Sequence, residues 1–137
     1  PNSICRTPVT STDFYPTMLE LAGLQPLPRQ HPDGVSLAPL LTGSQALDRK
    51  ALYWHYPHYR GSGWKPGGAM RCGPWKLIEF YEEGRVELYN LDEDLRERKE
   101  LSKSLPEKTA ELVGTFHEWR RQIGAQMPSA NPKYSGE

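Results

Sequence analysis

The sequence is short of the features that usually settle a function. It has only two cysteines, Cys5 and Cys72, which lie far apart and fit neither a metal-binding spacing nor a disulfide framework. They leave the redox compartment open. It has no charge excess either, with 17 Lys and Arg against 17 Asp and Glu. Nucleic acid and acidic lipid surfaces both select concentrated basic charge, so neither is an expected partner. No apolar run reaches the length of a membrane span or of a signal-peptide core, and the expectation is a soluble chain with no membrane partner. Internal repeats and low-complexity tracts are absent. The opening Pro1-Asn2-Ser3-Ile4-Cys5 carries no initiator methionine, so a piece cut from something longer is expected. What the chain does have is turn-forming residues, with 13 prolines and 12 glycines among 137 residues. That length allows one ordinary hydrophobic core and many loops.

The most regular stretch runs from Gly68 to Leu91. From Trp75 to Tyr81 the side chains alternate, with Trp75, Leu77, Glu79 and Tyr81 on one face and Lys76, Ile78 and Phe80 on the other. Glu82-Glu83-Gly84-Arg85 interrupts the pattern, and it resumes with Val86 and Leu88 on one side and Tyr89 and Leu91 on the other, which predicts a hairpin. Ala69-Met70-Arg71 is a third candidate strand, set off by the turn signal Gly73-Pro74. Aromatic-rich Ala51 to Tyr56 is a fourth.

Around this meander the chain alternates helix and loop. Ser11 and Thr12 are candidate caps for a helix beginning near Asp13 and stopped by Gly23, with Pro16 admissible in its first turn. Pro26, Pro28, Pro32, Gly34 and Pro39 predict a wandering loop with one helical turn over Leu37 to Leu41, followed by a polar stretch from Ser44 to Lys50. Pro57 to Gly67 reads as a long loop, and Asp92 to Lys99 as a charged turn. Ser104-Leu105-Pro106-Glu107 has the form of a capping box opening a helix. Leu112, Phe116, Trp119 and Ile123 form the apolar stripe of that helix, and Gly124 is its stop. Phe116 and Trp119 make it the natural cover for the sheet, each worth roughly 2 to 3 kcal/mol on burial. From Met127 onward, with Pro128, Pro132 and Gly136, the chain is expected to run over the surface.

In combination these pieces resemble the C-terminal end of a type I sulfatase, the arylsulfatase-like branch of the alkaline phosphatase superfamily. The likeness is carried by Thr10-Ser11-Thr12-Asp13-Phe14-Tyr15-Pro16-Thr17 with Leu19 to Gly23, and by Asp33-Gly34-Val35-Ser36-Leu37 with Pro39-Leu40-Leu41 and Gly43. Ala69-Met70-Arg71 through Gly73 and Trp75-Lys76-Leu77, Glu87-Leu88-Tyr89-Asn90-Leu91, and the helix opening at Pro106-Glu107 carry the rest. The resemblance implies an α+β fold, an antiparallel sheet of about four strands packed against a C-terminal helix. It implies that residues 1–45 are the last part of the catalytic α/β domain and 46–137 the C-terminal subdomain. It also implies a periplasmic or secreted parent that hydrolyses sulfate esters with a formylglycine and calcium.

Neither the Cys/Ser-x-Pro-x-Arg motif nor the acidic calcium ligands of such enzymes are recognisable here, so no catalytic residue, metal ligand or cofactor is expected in this chain. Cys72-Gly73-Pro74-Trp75-Lys76 approaches the motif, but Lys stands in place of Arg, and Lys lacks the planar donor fork that suits a sulfate. Asp92, Glu93 and Asp94 lack the glycine and closing glutamate of a calcium loop.

The candidate substrate-binding residues are His55, His58, Arg60, Trp64 and Lys65, in or beside a glycine-rich loop where they suit a sulfated sugar or aryl ester. The two histidines make a poor zinc pair without cysteines nearby. Arg71, within an apolar strand, is expected to pair with Glu79 or Glu87. Lys76 reads as a solvated strand residue, Trp64 as an exposed stacker, and His31 and His117 as solvent-exposed. The expected partner is the missing catalytic domain, with self-association through the N-terminal helix as a further expectation. The alternative function is a free-standing carbohydrate-binding or protein-interaction module using Trp64, Tyr56, Tyr59 and the histidines.

Overall fold

A computed structural model describes residues 4–43, 47–61, 63–129 and 131–133. The expectations placed on Pro1 to Ser3, on Ser44 to Ala46 and on Gly136 lie outside these residues. The chain divides into two compact units, Pro1–Lys50 and Ala51–Glu137.

In the second unit four strands, β1 (Ala51–Tyr56), β2 (Gly67–Cys72), β3 (Trp75–Phe80) and β4 (Arg85–Asn90), pair in sequence order as an antiparallel meander. Period-two alternation sets the faces as the sequence predicts. Met70, Leu77 and Leu88 lie on one side, fully buried with Leu112 and Phe116 of helix α3 (Pro106–Gln122). Ile78, Tyr89 and Leu91 form a smaller cluster on the other, with Trp64, Ala69 and Phe80 packed against them. Tyr53 stacks on Trp119 with ring centroids 4.6 Å apart and planes 8° off parallel, so the sheet and α3 share an aromatic layer.

β2 begins two residues earlier than its apolar run suggests because Gly67 and Gly68 belong to it. A Cβ on Gly68 would sit 2.6 Å from Phe116 Cζ and 2.7 Å from the Trp54 carbonyl oxygen. Only glycine lets α3 approach this closely. The β2–β3 turn is a two-residue hairpin loop, Gly73-Pro74, whose positive φ of 55° at Gly73 is the geometry of a type II′ turn. Beyond β4, the backbone N–H of Leu88 donates to the Glu100 carboxylate and its carbonyl accepts from Leu101 N–H, which covers this edge of the sheet.

Helix α3 starts differently from the sequence expectation. Its N-cap is Leu105, without a side-chain cap, and the Ser104 hydroxyl donates backward to the Leu101 carbonyl instead of forming a capping box. Pro106 at the first position needs no donor partner, so the helix can open without one. Ile123, the last of the apolar stripe, falls at the C-cap and is 53% exposed.

In the first unit, a 3₁₀ turn (Ser11–Asp13) runs into α1 (Phe14–Leu21), and α2 is a single turn (Ala38–Leu41). Ser11 and Thr12 lie inside the 3₁₀ turn, and the residue preceding it is Thr10. The hub is Asp13, with no exposed surface. Its carboxylate accepts from the backbone N–H of Thr10 and Val35 and from both terminal nitrogens of Arg49, at 2.6 to 3.0 Å. Thr17, one turn on, donates to the Asp13 carbonyl and accepts from Leu37 N–H. The proline-rich loop is thereby sewn back onto α1 by polar bonds. No helix among the described residues is long and apolar enough to cross a membrane.

Candidate functional site

The five residues singled out from the sequence do not converge. His55, near the end of β1, is bonded through both ring nitrogens, with Nδ1 2.7 Å from the Tyr81 hydroxyl and Nε2 2.9 Å from the Gln126 carbonyl. A carbonyl only accepts, so Nε2 donates to Gln126, and the Tyr81 hydroxyl donates to Nδ1. Tyr81 in turn lies beside Arg120, whose guanidinium carbon is 5.0 Å from the tyrosine ring centroid. Arg120 pairs at 3.1 Å with Glu79, whose carboxylate also meets His117 Nε2 at 3.0 Å. Burial pushes the Tyr81 phenol up, the Arg120 bond and charge pull it down, and the Glu79 charge pushes it up again, for a net rise. The hydroxyl therefore stays protonated and available to His55.

His58 stands with its ring edge-on to Tyr56, centroids 5.6 Å apart. With Tyr59 and Glu82 it lines a cavity of about 810 Å³. Pro57, Pro66 and Pro128 supply its apolar surface, and Ser129 and Asn131 close it from the segment after α3. The Tyr59 hydroxyl donates to the Glu82 carboxylate across the wall. This mixture of flat apolar surface and neutral or acidic hydrogen-bonding groups suits a polyhydroxylated ring better than an isolated anion.

Of the other three site residues, Lys65 and Trp64 have side chains engaged with neighbours, and Arg60 is tied down through its backbone. The Arg60 backbone N–H donates to the Trp64 carbonyl and its own carbonyl accepts from Gly63 N–H. Lys65 pairs with Glu83. Trp64 is half-buried, 6.0 Å from the Phe80 ring, with its indole N–H 3.4 Å from the Tyr56 carbonyl. It packs on the second face of the sheet against Phe80 and is not the exposed stacker that the sequence suggests.

Arg71 likewise departs from expectation. Register places it opposite Lys76 and Leu52, while Glu79 lies opposite Gly68 and Glu87 opposite Ile78. Its Nε bonds the Gly73 carbonyl at 3.4 Å, Glu79 is taken by His117 and Arg120, and Glu87 pairs with Arg85. Lys76 is not simply solvated but bridges both oxygens of Glu97 at 2.7 and 2.8 Å. Nor is His31 simply exposed, since its Nε2 accepts from Leu27 N–H and its Nδ1 is buried.

The residues present do not fit a formylglycine or a calcium ion. Cys72 ends β2 directly opposite Trp75 and packs, half-buried, against the core, with Lys76 already committed to Glu97. The Asp94 carboxylate accepts from the backbone N–H of Arg98 and Lys99, and no group of three or more potential ligands gathers among the described residues. Sequence reasoning missed Tyr81, Arg120 and Gln126, which hold His55, and Glu82 and Asn131, which line the cavity. These partners lie far from His55 and His58 along the chain, and only the folded sheet assembles them.

Comparison with known proteins gives a consistent result. Residues 1–123 match the family model described as N-sulphoglucosamine sulphohydrolase, C-terminal. The chain is similar to a sulfatase of Formosa agariphila, 36% identical over 124 residues, covering 82% of this chain and 22% of that protein. It is similar also to arylsulfatase K of Rattus norvegicus, 34% identical over 112 residues, covering 76% of this chain and 19% of that protein. Among solved structures it resembles BT4656 in complex with its substrate D-glucosamine-2-N,6-O-disulfate. There the TM-score is 0.69 at 31% identity, over 85% of this chain and 24% of that one. The chain thus spans about a fifth of the length of the curated relatives it matches.

Proposed function

The chain belongs to the sulfatase family, in the part described as the C-terminal region of N-sulphoglucosamine sulphohydrolase, and on that premise we propose that it is a non-catalytic domain bordering the substrate cleft of a sulfate-ester hydrolase. The observation that carries this reading is the cavity beside the β1–β2 loop. It offers hydrogen-bonding groups and apolar surface for a sugar, while Cys72, at the end of β2, packs against the core. A sulfated glucosamine is the substrate class this reading favours, because BT4656, in complex with such a substrate, resembles 85% of this chain at 31% identity. The formylglycine and calcium that serve sulfate-ester cleavage belong, in this reading, to a catalytic domain that is this chain's partner. The unit Pro1–Lys50 is then the last layer of that domain, and its exposed Phe14, Met18 and Leu21 suit an apolar neighbour.

The test is an assay of the 137-residue chain with an aryl sulfate. The expected result is no turnover above the uncatalysed background. A rate in the ordinary enzyme range, about 1 s⁻¹ or more, contradicts a non-catalytic role.

A further inference from the structure

The cavity has a wall that β1–β2 does not supply. Pro128, Ser129 and Asn131 line it together with Pro57, His58 and Tyr59, and they belong to a segment that leaves α3 at Gly124 and enters no further helix or strand among the described residues. Free of other restraint, such a segment moves on the nanosecond scale. Here it has a specific anchor, because His55 Nε2 holds the Gln126 carbonyl three residues before Ser129. A weaker contact, 3.8 Å from Arg120 Nη1 to the Met127 sulfur, lies next to it.

We infer that His55 is a positioning residue for sugar recognition: it touches no ligand itself but fixes the segment whose Pro128, Ser129 and Asn131 line the His58 cavity. This rests on the reading of that cavity as part of a substrate cleft. The geometry explains why both ring nitrogens are used. Tyr81, held beside Arg120 and against Gly68, donates to Nδ1, which leaves the proton on Nε2 aimed at Gln126. A side chain that keeps one donor and one acceptor preserves the anchor, and an apolar one of similar bulk loses it.

The experiment uses the 137-residue chain with His55→Leu and His55→Gln, and a third variant ending at Ala125. Two quantities are read: ¹⁵N order parameters at Met127 and Ser129, and affinity for D-glucosamine-2-N,6-O-disulfate as probe. His55→Leu is expected to drop the order parameters from about 0.8 to below about 0.6 and to weaken the probe about five- to tenfold, the worth of one hydrogen bond. His55→Gln restores both, and the shortened chain binds as weakly as His55→Leu. Unchanged order parameters in His55→Leu overturn the inference, as does a shortened chain that binds like the wild type. If the wild type does not bind the probe at all, the cleft reading fails, and the order parameters alone decide whether His55 holds the segment. Should His55→Leu not fold, the shortened chain still supplies the affinity comparison.

Discussion

The two units are held together by opposite means. Ala51–Glu137 has an apolar centre, with Phe116, Met70, Leu77 and Leu88 fully buried between sheet and helix. Pro1–Lys50 is centred on a carboxylate, and its larger apolar side chains lie outside, with Phe14 56%, Met18 66% and Leu21 59% exposed. Burial of apolar area is non-directional and tolerates drift, whereas the four bonds to Asp13 fix three separate stretches of chain at one point. The first unit is thus ordered by geometry around a charge and leaves apolar helix residues exposed, while the second is built on an apolar core.

The sharpest way to break this contrast is to empty the apolar centre. Phe116→Ala is expected to destabilise the second unit by about 3 to 5 kcal/mol, through lost burial and the cavity left behind. Thermal unfolding followed by far-UV circular dichroism measures it, and a loss under about 1 kcal/mol would show that the sheet does not depend on α3.

A somewhat smaller effect, about 3 kcal/mol, is expected from Arg49→Met, which leaves the Asp13 carboxylate buried without its guanidinium. The pH dependence should agree. Burial pushes the Asp13 carboxyl up, but hydrogen bonds from Arg49, Val35 and Thr10 and the Arg49 charge outweigh it, and the net shift is downward from 3.8. A carboxyl depressed by folding contributes its full stability above its unfolded value and loses it as pH falls through the folded one. The first unit should therefore be insensitive to Asp13 above pH 3.8 and weaken below it, and Arg49→Met should flatten that dependence. An unaltered acid profile in Arg49→Met would remove the hub from the account.

The smallest effect on stability is expected at α1, where Met18→Ser should stay within about 0.5 kcal/mol because the side chain is already in water. What should change is association. With Phe14, Met18 and Leu21 exposed on α1, the wild-type chain is expected to self-associate, and light scattering should show less of it in Met18→Ser. A wild type that is strictly monomeric at all concentrations contradicts this.

Legibility in the sequence followed the range of the interaction. The alternation of Trp75 to Tyr81 and Val86 to Leu91 was enough to assign both sheet faces, and the spacing of Leu112 and Phe116 gave the covering helix, because each pattern is local. Asp13 and Arg49 were illegible as a pair, since 36 residues separate them and neither position carries a periodic signal. Ser104 misled because a capping-box pattern specifies residue types and not the backbone turn that places them. Arg71 misled because a pairing guess needs the strand register, which alternation does not supply. His58 was found as a loop residue beside a strand end, but its cavity was not, because one wall comes from beyond α3. The sequence places His55 beside a loop, but its bonds to Tyr81 and Gln126, 26 and 71 residues away, carry no local signal.

The most direct test of the central claim is a titration of the ¹⁵N-labelled 137-residue chain with D-glucosamine-2-N,6-O-disulfate, followed by amide chemical shifts. The account predicts saturable shifts at His58, Tyr59, Glu82 and Ser129, with Cys72 and Lys76 undisturbed. Shifts centred on Cys72 and Lys76, or none anywhere, would contradict it.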